Sequence, residues 1–266
     1  MNILYELFKI ITIIYDSNTI IKVSITLNLR YRILKNIKLK KLILIIIIFS
    51  SSISIAQVES SQTGAWYMYF YNTKFNNSNW GIQGDFQYRD WQGLGDMEQL
   101  LLRSGITYSP DNSNITFTAG YANITTGEFG ESDNTSSENR IYQEALLPQK
   151  LGERFYITHR FRYEQRFVED QDFRTRYRYN LFFNIPINQK DLSKNAIYIA
   201  LYNEIFINGQ TEIGEGREVE LFDRNRTYLG AGYALTNKLR LQLGWMNQKT
   251  VNWGKGQLQF SLHHTF

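Results

Sequence analysis

In the segment ERFYITHRFRYEQRF, Phe155, Ile157, His159, Phe161, Tyr163 and Phe167 alternate with Arg154, Tyr156, Thr158, Arg160, Arg162, Glu164 and Arg166. A period of two is the spacing of a pleated strand, whose successive side chains point to opposite faces. The pattern recurs in DFRTRYRYNLFFNIPI, where Phe173, Tyr177, Tyr179, Leu181, Phe183 and Ile185 oppose Arg174, Arg176, Arg178, Asn180 and Asn184. In NWGIQGDFQYRDW, Trp80, Ile82, Phe86 and Tyr88 oppose Gln83, Asp85, Gln87 and Arg89. Further candidate strands lie at 64–73, 97–109, 114–124, 139–147, 196–208, 222–235, 238–248 and 256–266. Turn-rich pieces separate them: SPDNSN, LTNK, and the longer TTGEFGESDNTSSEN and NGQTEIGEGREVE. No window past residue 57 has the period of a long amphipathic helix, so the expected class is all-β.

Alternation leaves open which face is inside. A secreted soluble barrel or lectin-like sandwich buries the apolar face; an outer-membrane barrel turns it outward to lipid. The N-terminal region favours export. Lys35, Lys38, Lys40 and Lys41 precede the apolar run Leu42 to Phe49, and Ser54 and Ala56 place small residues before Gln57, which is the pattern of a signal peptide cleaved after Ala56. The run is shorter than the roughly 20 residues of a spanning helix. Residues 1–56 read as this signal peptide behind a spurious extension, translation starting near Leu34 to Leu39, with 57–266 as one barrel domain. These 56 residues hold eight Lys+Arg and two Asp+Glu, leaving 21 cationic against 23 anionic side chains. The basic balance of the whole chain therefore belongs to the leader and gives no reason to expect a nucleic-acid partner. No cysteine is present, which excludes disulfides, thiol catalysis and thiolate metal sites.

Candidate strands of about ten residues match the length that crosses a bilayer when tilted. Aromatic clusters near strand ends, in AWYMYFY, YRDW and LGWMNQ, suit the interfacial girdles of such barrels. The chain finishes in KGQLQFSLHHTF, with Leu258, Phe260, Leu262, His264 and Phe266 on one face. This ending resembles the C-terminal assembly signal of bacterial outer-membrane proteins, with Phe260, Leu262 and Phe266 as its residues, the barrel-assembly machinery as its partner and lipid as its surroundings. The expectation is a transmembrane antiparallel up-and-down barrel in the outer membrane. Eleven candidate strands conflict with the even numbers of single-chain bacterial barrels, so ten or twelve are expected, with 64–73 as the misfit or one strand missed. With a periplasmic C-terminus, segments 125–138 and 209–221 fall on the extracellular side, and LTNK and PQKLGE become periplasmic turns.

The segments QYRDW, YNEIFING and LFDRNRTYLGAGYALTNKLRLQLGWMNQ resemble the Bacteroidetes-type family catalogued as domain of unknown function 2490, over residues 63 to 266. The matching positions are Glu204, Asn225, Arg226, Tyr228, Gly230 and Gly232. The resemblance implies an outer-membrane-type barrel and supplies no chemistry.

Any chemistry lies on the polar face. A tight turn centred on Asp170 pairs Arg166 with Arg174, Glu164 with Arg176, Arg162 with Arg178 and Arg160 with Asn180. With Arg154, seven arginines then point into one side of the lumen, answered by Glu164, Glu144, Glu204 and Asp85. Two readings follow: a self-neutralised network that fills a narrow barrel, or a porin-like constriction that favours small anionic solutes. An outer-membrane hydrolase or deacylase is the enzymatic alternative, since Ser261 and His263 share a strand face. No carboxylate is evidently placed to orient His263, so no catalytic residues are expected. His159 reads as an interfacial aromatic, and no metal or cofactor site is expected.

Overall fold

The computed structural model describes residues 63–266; the signal peptide and extension expected in 1–56 lie outside the described residues. Eleven strands follow in chain order: β1 (Gly64–Lys74), β2 (Trp80–Asp90), β3 (Met97–Tyr108), β4 (Thr116–Gly127), β5 (Thr135–Leu151), β6 (Phe155–Val168), β7 (Arg174–Pro186), β8 (Ile197–Asn208), β9 (Phe222–Ala234), β10 (Leu239–Lys249) and β11 (Gly254–Thr265). Each pairs with its sequence neighbour, and β1 pairs with β11 to close a barrel.

All eleven candidate segments are strands, and the expectation of an even number is corrected. An up-and-down chain with an odd strand count has its first and last strands pointing the same way, so its closing pair must be parallel. β1 and β11 meet that requirement, from Gly64 opposite Gln257 to Asn72 opposite Thr265. Every other pair is antiparallel. Parallel bonds are evenly spaced and slanted, so closure costs no unpaired edge. Segment 64–73 is thus the closing strand.

The hairpin register around Asp170 is the one expected. Arg166 faces Arg174, Glu164 faces Arg176, Arg162 faces Arg178 and Arg160 faces Asn180. Asp170 itself has φ of 55°, the left-handed conformation that reverses the chain here and that Asp tolerates better than most residues. The loops at 128–134 and 209–221 lie at one end of the barrel, as parity requires, with 152–154, 187–196 and 235–238 at the other. Loop 209–221 folds over the β6–β7 turn, where the Asp172 amide donates to the Ile213 carbonyl at 2.9 Å and Arg217 donates to the Asp170 carbonyl.

The barrel is inverted relative to a soluble protein. Outward positions carry Ile106, Phe161, Tyr177, Leu229, Leu241 and Leu243, all exposed, whereas Asp85, Arg103, Glu144, Glu164, Arg176 and Glu204 are buried inside. Outward aromatics pair across strands, such as Phe161 with Tyr179 at 5.0 Å and Tyr67 stacked on Phe260 at 5.4 Å. On the same outward face His264 Nδ1 bonds the Tyr69 hydroxyl at 3.0 Å, and the Phe266 amide donates to the Asn72 carbonyl at 3.0 Å.

The closing pair has a direct test. In this cysteine-free chain, Tyr69→Cys with Leu262→Cys places two outward thiols on paired residues of β1 and β11. Mild oxidation should give a reduction-sensitive gel shift comparable to that of a Tyr69→Cys, Phe86→Cys pair across β1–β2. A shift from the second pair only would mean that the barrel closes differently.

Candidate functional site in the lumen

Strands β6 and β7 place Arg160, Arg162, Glu164, Arg166, Arg174, Arg176 and Arg178 on the inward face, where Arg162 opposes Arg178 and Arg166 opposes Arg174. Like charges across a ladder repel, so acids from this and neighbouring strands must answer them. Glu164, 1% exposed, accepts from Arg176 Nη2 at 2.7 Å and Arg178 Nη1 at 2.6 Å. Arg140 and Arg162 lie 3.9 Å from the same carboxylate. Glu204 Oε1 accepts from Arg178 and Arg160, each at 2.6 Å. Glu144 takes the Arg162 Nε at 2.6 Å and Gln83 at 2.8 Å, and Asp85 takes Arg103 at 2.6 Å. The four expected acids are therefore all engaged in the lumen.

Three further acids belong to the network. Glu138 holds Arg140 at 2.6 Å and Arg166 at 2.5 Å; Asp223 holds Arg176 at 2.8 Å and Arg224 at 3.0 Å; Glu98 holds Lys255 at 3.2 Å. Two expected arginines behave differently. Arg154 lies in the β5–β6 turn and donates to the Pro186 and Ile187 carbonyls, each at 3.3 Å, because β6 starts at Phe155 and the alternation does not reach it. Arg174 is inward but has no carboxylate within ion-pair distance among the described residues, and its Nε has no partner.

Aromatic rings fill the space between the ions. Arg178 lies over Phe206 at 4.4 Å and Arg162 over Tyr142 at 4.8 Å, so guanidinium faces that make no hydrogen bonds still meet π density. Across the lumen, Trp66, Tyr198, Ala200, Tyr228 and Met246 form an apolar cluster. Two of the positions shared with the family resemblance are explained here. A Cβ on Gly230 would lie 2.2 Å from the Tyr228 hydroxyl, and one on Gly232 would lie 2.1 Å from the Tyr198 ring, so both rings lie flat on bare backbone. Arg226 donates to Gln248 at 2.7 Å, and Asn225, on the other face, donates to the Asn203 side chain and the Glu204 carbonyl, each at 3.1 Å.

Ser261 Oγ lies 3.2 Å from His263 Nε2, with the imidazole stacked on Phe70 at 4.8 Å. Among the described residues no carboxylate bonds to that ring, and the residue opposite His263 is Arg240, so the dyad lacks the group that would orient a base. His159 bonds the Tyr179 hydroxyl at 2.8 Å, and among the described residues no three His, Asp or Glu side chains group as metal ligands. At the rim, Asp191 accepts from Lys150 at 2.6 Å and Tyr156 at 2.8 Å, bonds that hold its carboxyl below the usual range; it is solvent-exposed, so salt screens the pair.

These features define a class: a closed β-barrel of eleven strands with an apolar exterior and an interior packed with paired charges and aromatic rings. The chain belongs to the family described as protein of unknown function DUF2490, whose model matches residues 63–259. It is also similar to an uncharacterised protein of Methylorubrum extorquens, 27% identical over 183 residues, which cover 65% of this chain and 75% of that relative.

Glu164→Gln leaves Arg176 and Arg178 short of a counter-charge. Breaking a buried pair costs about 3–5 kcal/mol, so the variant should unfold at markedly lower denaturant concentration than wild type. An unchanged midpoint would mean that the Glu164 cluster contributes nothing to folding.

Proposed function

We propose that the chain is an outer-membrane β-barrel protein whose lumen is closed by its own ion network, acting as a structural barrel and not as an open porin. The observation that carries this is the inversion of faces. Leu229 and Ile106, 62% and 58% exposed in mid-strand, belong to an apolar exterior that runs round the barrel, and the charges lie within. Soluble monomers rarely expose contiguous apolar surface of more than a few hundred Å². Strands of 11 to 17 residues reach across a bilayer when tilted. Membrane lipid is then the exterior environment, and the barrel-assembly machinery the partner during biogenesis, with Phe260, Leu262 and Phe266 as its recognition residues. The mutual occupancy of Arg162, Arg176, Arg178, Glu144, Glu164 and Glu204 favours closure over conduction.

One observation favours a second reading, a narrow anion-selective channel. Arg89, Arg174 and Arg226 face inward with no carboxylate within ion-pair distance among the described residues, so an opened lumen would carry positive potential.

Planar-bilayer recording of refolded protein should show almost no conductance. Stable anion-selective openings would support the channel reading, and open cation-selective pores would contradict both. The membrane assignment is tested separately. If Leu229 lies near the bilayer midplane, Leu229→Arg should cost about 2–4 kcal/mol in lipid. A negligible cost, with wild type purifying as a detergent-free monomer, would return the chain to the secreted soluble barrels.

A further inference from the structure

Two of the three unpaired cations lie together. Arg89 and Arg226, both about nine-tenths buried, converge on one ring: their guanidinium carbons lie 3.8 Å and 4.8 Å from the centre of Trp66. Arg89 is held only by neutral amides, donating to Gln87 at 2.7 Å and Gln99 at 2.5 Å. Arg226 donates through Nε to Gln248, and its two terminal nitrogens bond no described residue. The nearby acids are already engaged: Glu204, opposite Arg226 in the β8–β9 ladder, accepts from Arg160 and Arg178, and Glu98 accepts from Lys255 and Gln257.

Neutral donors on the same wall also lack acceptors. The Trp66 Nε1, the Tyr228 hydroxyl and the Gln259 Nε2 are buried and unpartnered among the described residues. They belong together: Gln259 faces Trp66 across the β1–β11 ladder, Tyr228 packs in the Trp66 cluster, and Tyr202, stacked on Tyr228 at 4.8 Å, donates to Gln259 Oε1 at 3.0 Å and so turns the Nε2 away from itself. Two of the unpartnered atoms on this wall are packed against backbone, the Tyr228 hydroxyl at Gly230 and Gln257 Oε1 at Gly64, which leaves the Trp66 and Gln259 donors. An unmet buried donor and an uncompensated buried charge are each costly. Here two cations lack a counter-charge and two donors lack an acceptor in one place.

We propose that the lumen wall around Trp66 binds one small oxyanion, with Arg89 and Arg226 supplying the charge and Trp66 Nε1 and Gln259 Nε2 the neutral donors. Water can meet the donors but leaves two cations uncompensated. A halide offers charge without several directed lone pairs, whereas a phosphate- or sulfate-like group matches planar guanidinium forks. The inference rests on the lumen geometry alone and does not require that the barrel lie in a membrane.

The test uses the full chain in detergent, with inorganic phosphate as probe and chloride at matched ionic strength as reference. Phosphate should raise the thermal midpoint saturably and give a calorimetric isotherm. Arg226→Gln should weaken the apparent affinity at least tenfold and Trp66→Phe severalfold, while Lys190→Gln, at the exposed rim, should leave it unchanged. Should Arg226→Gln fail to fold, wild-type crystals soaked in selenate should show an anomalous peak in contact with Arg89 and Arg226. No saturable phosphate effect in wild type, an equal effect of chloride, undiminished affinity in Arg226→Gln, or selenate bound elsewhere or not at all would each overturn the assignment.

Discussion

Arg178 bridges Glu164 and Glu204 with three of its nitrogen–oxygen contacts, and in doing so ties the neighbouring strands β6, β7 and β8 together on one wall of the lumen. A charge so deeply buried is tolerated only when paired, since the desolvation penalty of an ion in a protein interior is several kcal/mol. Once Arg178 is fixed, its neighbours lose their freedom. Arg176 must share Glu164, Arg160 must share Glu204, and Arg162 must turn to Glu144. Strand registers that moved these groups apart would strand several charges at once. The network therefore specifies the arrangement of β5 to β8 more sharply than alternating hydrophobicity alone, which defines only the two faces.

The remainder of the lumen is filled by a different device. On β8, β9, β10 and β1 the inward residues Tyr198, Ala200, Tyr228, Met246 and Trp66 pack together, and Tyr198 and Tyr228 lie over Gly232 and Gly230. Tyrosine on glycine replaces the side chain that glycine lacks and keeps the wall tight where ion pairs are absent. Trp66 sits at the join, approached by Arg89 from β2 and Arg226 from β9.

Much of this was legible in the sequence, for identifiable reasons. Alternation marked most of the strands because they have one apolar and one polar face, whereas β1 is aromatic on both faces. The β6–β7 register followed from one tight turn, since a short hairpin leaves little freedom for slippage. Closure was not legible in the same way: strand pairing across the seam is set by strand count, and the usual even number pointed away from the parallel pair that forms. Glu138 was missed because it lies in a turn-rich stretch that reads as loop, whereas β5 runs from Thr135. The unpaired cations and orphaned donors around Trp66 were beyond reach, because they come from β1, β2, β9 and β11 and meet only once the sheet is closed. Asn225 and Gly232 could be marked by resemblance, but their reasons, a side-chain ladder and a ring seated on backbone, needed coordinates.

Apolar exterior and filled interior are two halves of one claim, and a spin label reads both. Single cysteines at Leu243, outward, and Gln242, which donates inward to the Tyr198 hydroxyl at 3.0 Å, can carry nitroxides in this cysteine-free chain reconstituted into vesicles. Power saturation should find the Leu243 label relaxed by molecular oxygen and shielded from a water-soluble nickel chelate, and the Gln242 label shielded from the chelate as well. Relaxation of the Leu243 label by the chelate would put the apolar face in water, and relaxation of the Gln242 label would mean that the lumen is open.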